Sequence, residues 1–297
     1  MLAIHGQELA SAAENSGVNL RFEAAVAGGI PVIKTLTESL AGNNITRIMG
    51  VMNGTCNYIL TRMEDTGLAY EEIFEEANQL GFLEADPNLD VGGIDAAHKL
   101  VLLSSIAYGT QVDFNGAILE GIGRITIEDI KAASEMGYRI KLLGVSSLSD
   151  SGLSQTMRPC LVPLTSPLAQ LNGGTNMIII EGDAVGQIVL RGAGAGEGPT
   201  ASAVIADILD IARGINIPVF GQPANSLIKV PAISTSVENS FYLRLNLKDE
   251  AGILAKVSAA LANAGISIDR IRQEGHEKDA APVIIVTHPT DRDTLNK

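Results

Sequence analysis

Residues 94–107 restrict the fold of this chain more than any other segment. The run IDAAHKLVLLSSIA has the length of a helix and is apolar around most of its circumference. Such a helix is normally buried on several sides. It is also far shorter than the ~20 apolar residues that a membrane-spanning helix needs. We therefore expect a core helix that other layers of the protein enclose, and no membrane partner.

The segments around this helix alternate between helical and strand patterns. Period-2 or apolar runs predict strands at 20–27, 45–52, 138–148 and 157–164, and a hairpin over 176–190. Capping and glycine signals predict helices over 5–17, from 31, and over 53–63, 71–80, 94–107, 126–137 and 201–213. The fold class is therefore α/β: a mixed sheet covered by helices.

A Ser/Thr-rich linker at 231–240 separates a main domain, 21–235, from a small domain, 240–297. The small domain has the element order β-α-β-β-α, which predicts a ferredoxin-like unit without its last strand. Its first strand, 241–247, is then expected to be an exposed edge. Residues 1–20 form a helix with no strand before it, and we interpret them as the remnant of a preceding domain.

Composition excludes some classes of partner. The net charge is −13, so the chain lacks the basic face that a nucleic-acid-binding protein needs. Cys56 and Cys160 have no metal-ligand or disulfide spacing, and the start of the chain has no signal-peptide pattern. We expect a cytoplasmic location.

Charged residues cluster in the loop before the core helix and in its first turn. Glu84, Asp86 and Asp90 lie in a Pro- and Gly-punctuated loop, and Asp95 and Lys99 are four residues apart, on one face of the helix. Converging carboxylates are suited to the ammonium group of an amino acid, and an adjacent lysine can exchange a proton. On spacing alone, a surface ion pair between Asp95 and Lys99 is the commoner explanation. The string of carboxylates favours a site.

Two further loops are suited to small ligands. Asn53-Gly54-Thr55 presents free backbone N–H groups at a helix start, although an ordinary Asn N-cap explains it equally well. Residues 191–200, RGAGAGEGPT, allow close approach of a ligand, but their spacing is not that of a dinucleotide-binding fingerprint and also fits a flexible turn.

At these positions the chain resembles the homoserine dehydrogenase family. The resemblance rests on FEAAVAGGIPVIKTL (22–36), GVMNGTCNYIL (50–60), LGFLEADPNLDVGGIDAAHKL (80–100) and GAGAGEGPTASAVIADI (192–208). It covers residues 1 to about 235, and residues 241–297 resemble an ACT domain.

The resemblance implies a role for most members of the charged cluster. Lys99 matches the proton donor and acceptor at the substrate oxygen. Substrate-binding positions are matched by Glu84, Asp90, Asp95, Gly54 and Thr55.

It also implies sites for a cofactor and a cation. Gly81 and Gly196 match glycines near NADP or NAD. A sodium site built largely from backbone carbonyls is matched by Glu23, Val26, Gly28 and Ile30. Without the resemblance, Glu23 is a carboxylate on an edge strand.

The implied reaction is the reversible reduction of L-aspartate 4-semialdehyde to L-homoserine, on the branch to threonine, methionine and isoleucine. The family also implies a homodimer formed through the central sheet, threonine binding at the ACT domain, and a helix, 199–213, that returns to a nucleotide-binding domain expected before residue 1. The alternative is a non-catalytic fragment that binds amino acids as a regulatory module.

Overall fold

A computed structural model describes residues 1–83, 86–234, 238–273 and 280–295. The chain divides into two compact units, Met1–Ile233 and Ser234–Lys297.

Both units contain helices and strands. The helices are α1 Leu2–Asn15, α2 Val32–Lys34, α3 Gly54–Thr66, α4 Tyr70–Gln79, α5 Pro87–Val91, α6 Ile94–Tyr108, α7 Ile127–Glu135, α8 Glu197–Ala212, α9 Ile253–Asn263 and α10 Arg292–Leu295. The strands are β1 Ile45–Val51, β2 Ile118–Leu119, β3 Tyr138–Ser149, β4 Gly152–Pro163, β5 Thr175–Gly182, β6 Gly186–Ala193, β7 Ala232–Ile233, β8 Tyr242–Lys248, β9 Ile268–Gln273 and β10 Ala280–Thr287. Short 3₁₀ turns lie at Glu23–Ala25 and Ala224–Ser226, and α2 continues as a π-helix over Thr35–Ser39.

Seven strands of the first unit form one mixed sheet. Six of them follow the order β2-β4-β3-β1-β5-β6, and the seventh, β7, pairs with β4. All neighbours from β4 to β6 are antiparallel, whereas β2 and β7 each pair parallel with β4. The predicted mixed sheet with covering helices is confirmed.

Helix α6 is the centre of the core, as its sequence predicts. Leu100 and Leu103 are fully buried. Gly144 on β3 permits this packing, because a Cβ there would lie 2.6 Å from Met157 Cε and 3.4 Å from Leu100 Cδ1. His98, beside Lys99, stacks on Phe114 with ring centroids 4.5 Å apart, so it has a packing role.

A smaller apolar cluster forms between β-strands of the large sheet and the segment that follows β4. Val51, Leu143 and Met177 from the strands pack with Leu168 and Leu171. The segment after β4 is thereby held against the sheet.

In the second unit, β10 is the central strand of a three-stranded antiparallel sheet, β8-β10-β9. Within the described residues β8 pairs on one side only, which agrees with the exposed edge predicted for this strand.

Most predicted elements are confirmed to within a few residues. The capping box at Thr126 forms both of its hydrogen bonds, and the hairpin over 176–190 is β5-β6. The strand predicted at 20–27 is wrong: a 3₁₀ turn lies there, closed by hydrogen bonds from the N–H of Ala25 to the carbonyl of Phe22 and from the N–H of Val26 to the carbonyl of Glu23. No helix among the described residues is long and apolar enough to cross a membrane.

Replacing Leu103 by alanine will destabilise the first unit. Leu103 is 0% exposed, so the substitution leaves a cavity in the centre of the core, and we expect a loss of about 2–5 kcal/mol. Urea unfolding measures it. Leu68→Ala, at a side chain that is 40% exposed, is the control and is expected to lose less than about 1 kcal/mol; equal losses would contradict the placement of α6.

Candidate active site

Asp95 and Lys99 lie together in the first two turns of α6. Lys99 Nζ is 2.6 Å from Asp95 Oδ2 and donates a second hydrogen bond to the carbonyl of Met52, at 3.1 Å. The side chains are only 16% and 30% exposed for Lys99 and Asp95. The pair is therefore more enclosed than the surface ion pair that its spacing alone suggests.

Asn53 joins this pair to a second carboxylate. Its Nδ2 donates to Asp90 Oδ1 at 2.9 Å and to Asp95 Oδ2 at 3.2 Å. Its Oδ1 accepts from the backbone N–H of Cys56 at 2.8 Å, which caps α3. The helix cap is therefore confirmed, and the same side chain contacts two of the candidate carboxylates. Sequence patterns did not link Asn53 to these carboxylates, because they lie about 40 positions further along the chain.

Asp90 is 4% exposed and is more deeply buried than Asp86 or Asp95. It lies on α5, which ends immediately before α6. Its backbone carbonyl accepts hydrogen bonds from the Cys56 thiol and from the N–H of Gly93. Side chain and backbone of Asp90 thus both connect α5 to the elements around Lys99.

Gly54 and Thr55 begin α3 beside Asn53. A Cβ on Gly54 would lie 2.6 Å from the carbonyl oxygen of Gly174, so the two backbones are in close contact. Thr55 Oγ1 donates to the carbonyl of Phe82 at 2.9 Å. This hydrogen bond holds the loop that follows Gly81 next to the start of α3.

Gly81, Glu84 and Asp86 are the remaining residues that the sequence singled out in this loop. Gly81 has φ +74° just after α4, a left-handed conformation that ends the helix, and open space surrounds its Cβ position. Glu84 lies outside the described residues. Asp86 caps α5 by accepting from the N–H of Asn88.

Residues 23–30 form a second candidate site. Glu23, Val26, Gly28 and Ile30 are all buried. Ala27 and Gly28 are consecutive left-handed residues, at φ +59° and +55°, and Ala27 is the one non-glycine residue with positive φ in the described part of the chain. Such a conformation is strained for alanine and persists where the surroundings require it.

The Glu23 side chain has a structural role in the second candidate site. Its carboxylate accepts hydrogen bonds from the backbone N–H groups of Ile33 and Lys34, at 2.8 and 2.9 Å, and the backbone N–H of Glu23 donates to Asp207. Burial raises the pKa of this carboxyl, and the two N–H donors oppose the rise. Glu23 therefore closes the 23–34 loop.

The glycine-rich stretch 191–200 packs against this second site. Gly29 N–H donates to the carbonyl of Ala193, and a Cβ on Gly28 would lie 2.6 Å from the Gly194 carbonyl oxygen. Gly28 and Gly194 are thus required by protein packing. Gly196, at φ +113° before α8, is not in such close contact: a Cβ there would lie 3.6 Å from Pro199 Cδ. Helix α8 begins at Glu197, four residues earlier than the sequence suggested.

Asn176 has a buried polar side chain with no hydrogen-bond partner among the described residues. It is 1% exposed, and both Oδ1 and Nδ2 are unpaired. The Cβ position of Gly194 lies within 2.5 Å of both atoms, so the amide faces the contact between Gly194 and Gly28. An unpaired buried carbonyl oxygen fits a cation or a bound water. Among the described residues no group of three or more His, Cys, Asp and Glu could hold a metal ion.

Comparisons with known proteins agree with this geometry. A homoserine dehydrogenase family profile matches residues 31–209, and an ACT domain profile matches residues 241–297. The homoserine dehydrogenase of Pseudomonas aeruginosa is 42% identical over 305 residues, covering 100% of this chain and 70% of the relative. That of Neisseria gonorrhoeae is 43% identical, covering 98% and 68%.

Solved structures give the same result. The crystal structure of a homoserine dehydrogenase from Thiobacillus denitrificans matches with a TM-score of 0.93 and 42% identity, over 99% of this chain and 69% of that one. A hyperthermophilic archaeal homoserine dehydrogenase in complex with NADPH matches with a TM-score of 0.62 and 30% identity, over 72% of this chain and 61% of that one. The chain belongs to the homoserine dehydrogenase family.

Proposed function

We propose that the cluster around Lys99 is the catalytic centre of a homoserine dehydrogenase that reduces L-aspartate 4-semialdehyde to L-homoserine and catalyses the reverse oxidation. One observation carries this proposal. The Lys99 ammonium donates two hydrogen bonds, to Asp95 and to the Met52 carbonyl. An ammonium has three N–H bonds, so the third can point at a substrate oxygen.

Lys99 handles the proton of the reaction. NADPH or NADH, when bound, supplies the hydride to the carbonyl carbon of the semialdehyde. Lys99 donates a proton to the oxygen of that carbonyl as its charge develops, and it accepts the proton in the oxidative direction. Asp95 holds the ammonium in position, and the carbonyl of Met52 fixes its direction.

The carboxylates bind the amino-acid part of the substrate. Asp90 and Asp95 converge on the amide of Asn53, and their negative charge attracts the substrate ammonium group. The resemblance adds Glu84 to this set. Gly54 and Thr55 border the same space at the start of α3, where backbone N–H groups are suited to a carboxylate or a carbonyl oxygen.

Two glycines and the second site are assigned to the cofactor and to a monovalent cation, sodium. Gly81 and Gly196 have positive φ and no side chain, which allows close approach of NADP or NAD. The backbone carbonyls of Glu23, Val26, Gly28 and Ile30 are neutral oxygens, which suit a cation of low charge. The unpaired amide of Asn176 next to them supports a cation or its bound water.

The family context supports further proposals. We assign the enzyme to the branch that leads to threonine, methionine and isoleucine, in the cytoplasm, as a homodimer formed through the central sheet. The ACT domain would bind threonine near Asp249–Gly252, and the helix at 199–213 would contact a nucleotide-binding domain. The similar proteins favour the enzyme over the non-catalytic amino-acid-binding module.

Replacing Lys99 by alanine will lower kcat for semialdehyde reduction by about 10²–10⁴-fold, because the proton donor at the substrate oxygen is lost. Steady-state oxidation of NADPH at saturating semialdehyde measures it. The thermal midpoint should stay close to that of the unmodified protein, since the Lys99 side chain is still partly exposed.

Lys131→Ala provides the matched control. Lys131 is an exposed lysine on α7, away from the Asp95–Lys99 pair, and its loss should leave kcat unchanged. Near-normal turnover of Lys99→Ala would remove Lys99 from the proton-transfer role.

Removing sodium will lower the thermal stability of the first unit. A cation that binds only the folded state stabilises it by RT ln(1 + [cation]/Kd), about 2.7 kcal/mol at a hundredfold excess over Kd. Thermal unfolding in sodium chloride should therefore have a higher midpoint than in tetramethylammonium chloride at equal ionic strength. Identical midpoints in the two salts, at several concentrations, would count against the cation site.

A further inference from the structure

Lys141 is a buried lysine that forms no ion pair with a carboxylate of the described residues. It lies on β3 and is 2% exposed. Its Nζ donates to Asn57 Oδ1 at 2.8 Å and to the carbonyl of Leu171 at 2.6 Å, both neutral oxygens. No ion pair involves it in the described part of the chain. Burial lowers its pKa to about 8, and Arg139 contributes to the decrease. A buried cation held this way disfavours folding relative to an apolar side chain of similar size.

The two acceptors of Lys141 belong to elements that reach the active site. Asn57 lies in the first turns of α3, and Leu171 lies in the segment before β5. Asn57 Nδ2 in turn donates to the carbonyls of Leu171 and Gly173, at 3.2 and 2.7 Å. One ammonium and one amide thus tie α3 to the 171–173 segment through four hydrogen bonds.

This network ends directly against the proposed substrate loop. Gly174 follows the tied segment, and its carbonyl oxygen lies 2.6 Å from the Cβ position of Gly54. Asn53, on the other side of Gly54, is bonded to Asp90 and Asp95. The start of α3 is therefore held on one side by the carboxylate cluster and on the other by the Lys141 network.

We propose that Lys141 is a positioning residue that fixes the Gly54–Thr55 turn relative to Lys99, through Asn57 and the 171–174 segment. It touches neither substrate nor cofactor. An apolar residue could also be buried at this position, but it could not donate hydrogen bonds to the oxygens of two separate segments. The expected effect of Lys141 on turnover rests on the proposed function. Its expected effect on the loop rests on geometry alone.

Lys141→Met tests the proposal, because methionine has a similar shape and donates no hydrogen bond. We expect kcat/KM for the semialdehyde to fall about 10–100-fold, the scale of a small misplacement of a binding loop. Amide hydrogen exchange should become faster at residues 54–57 and 171–174 and stay unchanged at residues 142–146 of the same strand. A general increase over β3 would mean a purely structural role and would overturn the proposal.

Ser146→Ala is the matched control. Ser146 is a fully buried polar residue on the same strand, and its hydroxyl bonds to Ser104 rather than to the loop. Its replacement should leave exchange at 54–57 and 171–174 unchanged; acceleration there comparable to that in Lys141→Met would overturn the assignment.

Asn57→Asp is a second variant in case Lys141→Met does not fold. It keeps an oxygen acceptor for Lys141 and removes the two bonds that Asn57 donates to Leu171 and Gly173. Exchange at 171–174 should again rise, and unchanged exchange would contradict the network. If the unmodified protein does not turn over the semialdehyde, the proposed function fails, while the exchange pattern still decides the role of Lys141.

Discussion

The candidate active-site cluster depends on the hydrogen bonds of the Asn53 side-chain amide. Its oxygen caps α3, and its nitrogen donates to Asp90 and Asp95, on α5 and α6. Two carboxylates so close together repel each other, and the cost rises with burial. The amide N–H groups and the Lys99 ammonium offset that repulsion. In the proposed function, the two carboxylates attract a substrate ammonium while one lysine remains available for proton transfer.

The burial of α6 makes this arrangement rigid. Its apolar residues from Leu100 to Leu103 pack against the sheet, and Gly144 lets the helix approach β3 closely. Asp95 and Lys99 lie on the first turns of a helix that cannot shift without opening the core. Helix α6 is suited to hold Lys99 at a fixed distance from a substrate, because packing in the core determines the position of the helix.

Local features of the sequence predicted most elements, since capping residues, glycines and apolar periodicity act over a few positions. Thr126 and its capping box are one example, and the core helix 94–107 is another. Residues 20–27 were predicted wrongly because alternating apolar residues suggested a strand, whereas local hydrogen bonds close a 3₁₀ turn there. The Glu23 carboxylate bonds to the backbone of Ile33 and Lys34, ten and eleven positions along the chain, and the alternation pattern carries no sign of that contact.

Contacts between residues that are far apart in the sequence could not be inferred from local patterns, and the candidate site is largely built from them. Asp95 and Lys99 are neighbours on one helix, so their pairing was visible in the spacing. Asn53 and Asp90 are 37 positions apart, and nothing local links them. Lys141 is 84 positions from Asn57. A single lysine in a strand is usually a solvent-facing residue, so only the folded structure shows that this one is buried.

The start of β5 connects the two candidate sites. Gly174 contacts Gly54 of the substrate cluster, and Asn176, two positions later, faces Gly194 of the glycine-rich loop. Two residues of a strand span only about 7 Å. A displacement of this strand end would therefore move both clusters together. Lys141 holds the preceding segment, so a single buried ammonium helps determine the spacing between the proposed substrate loop and the proposed cofactor loop.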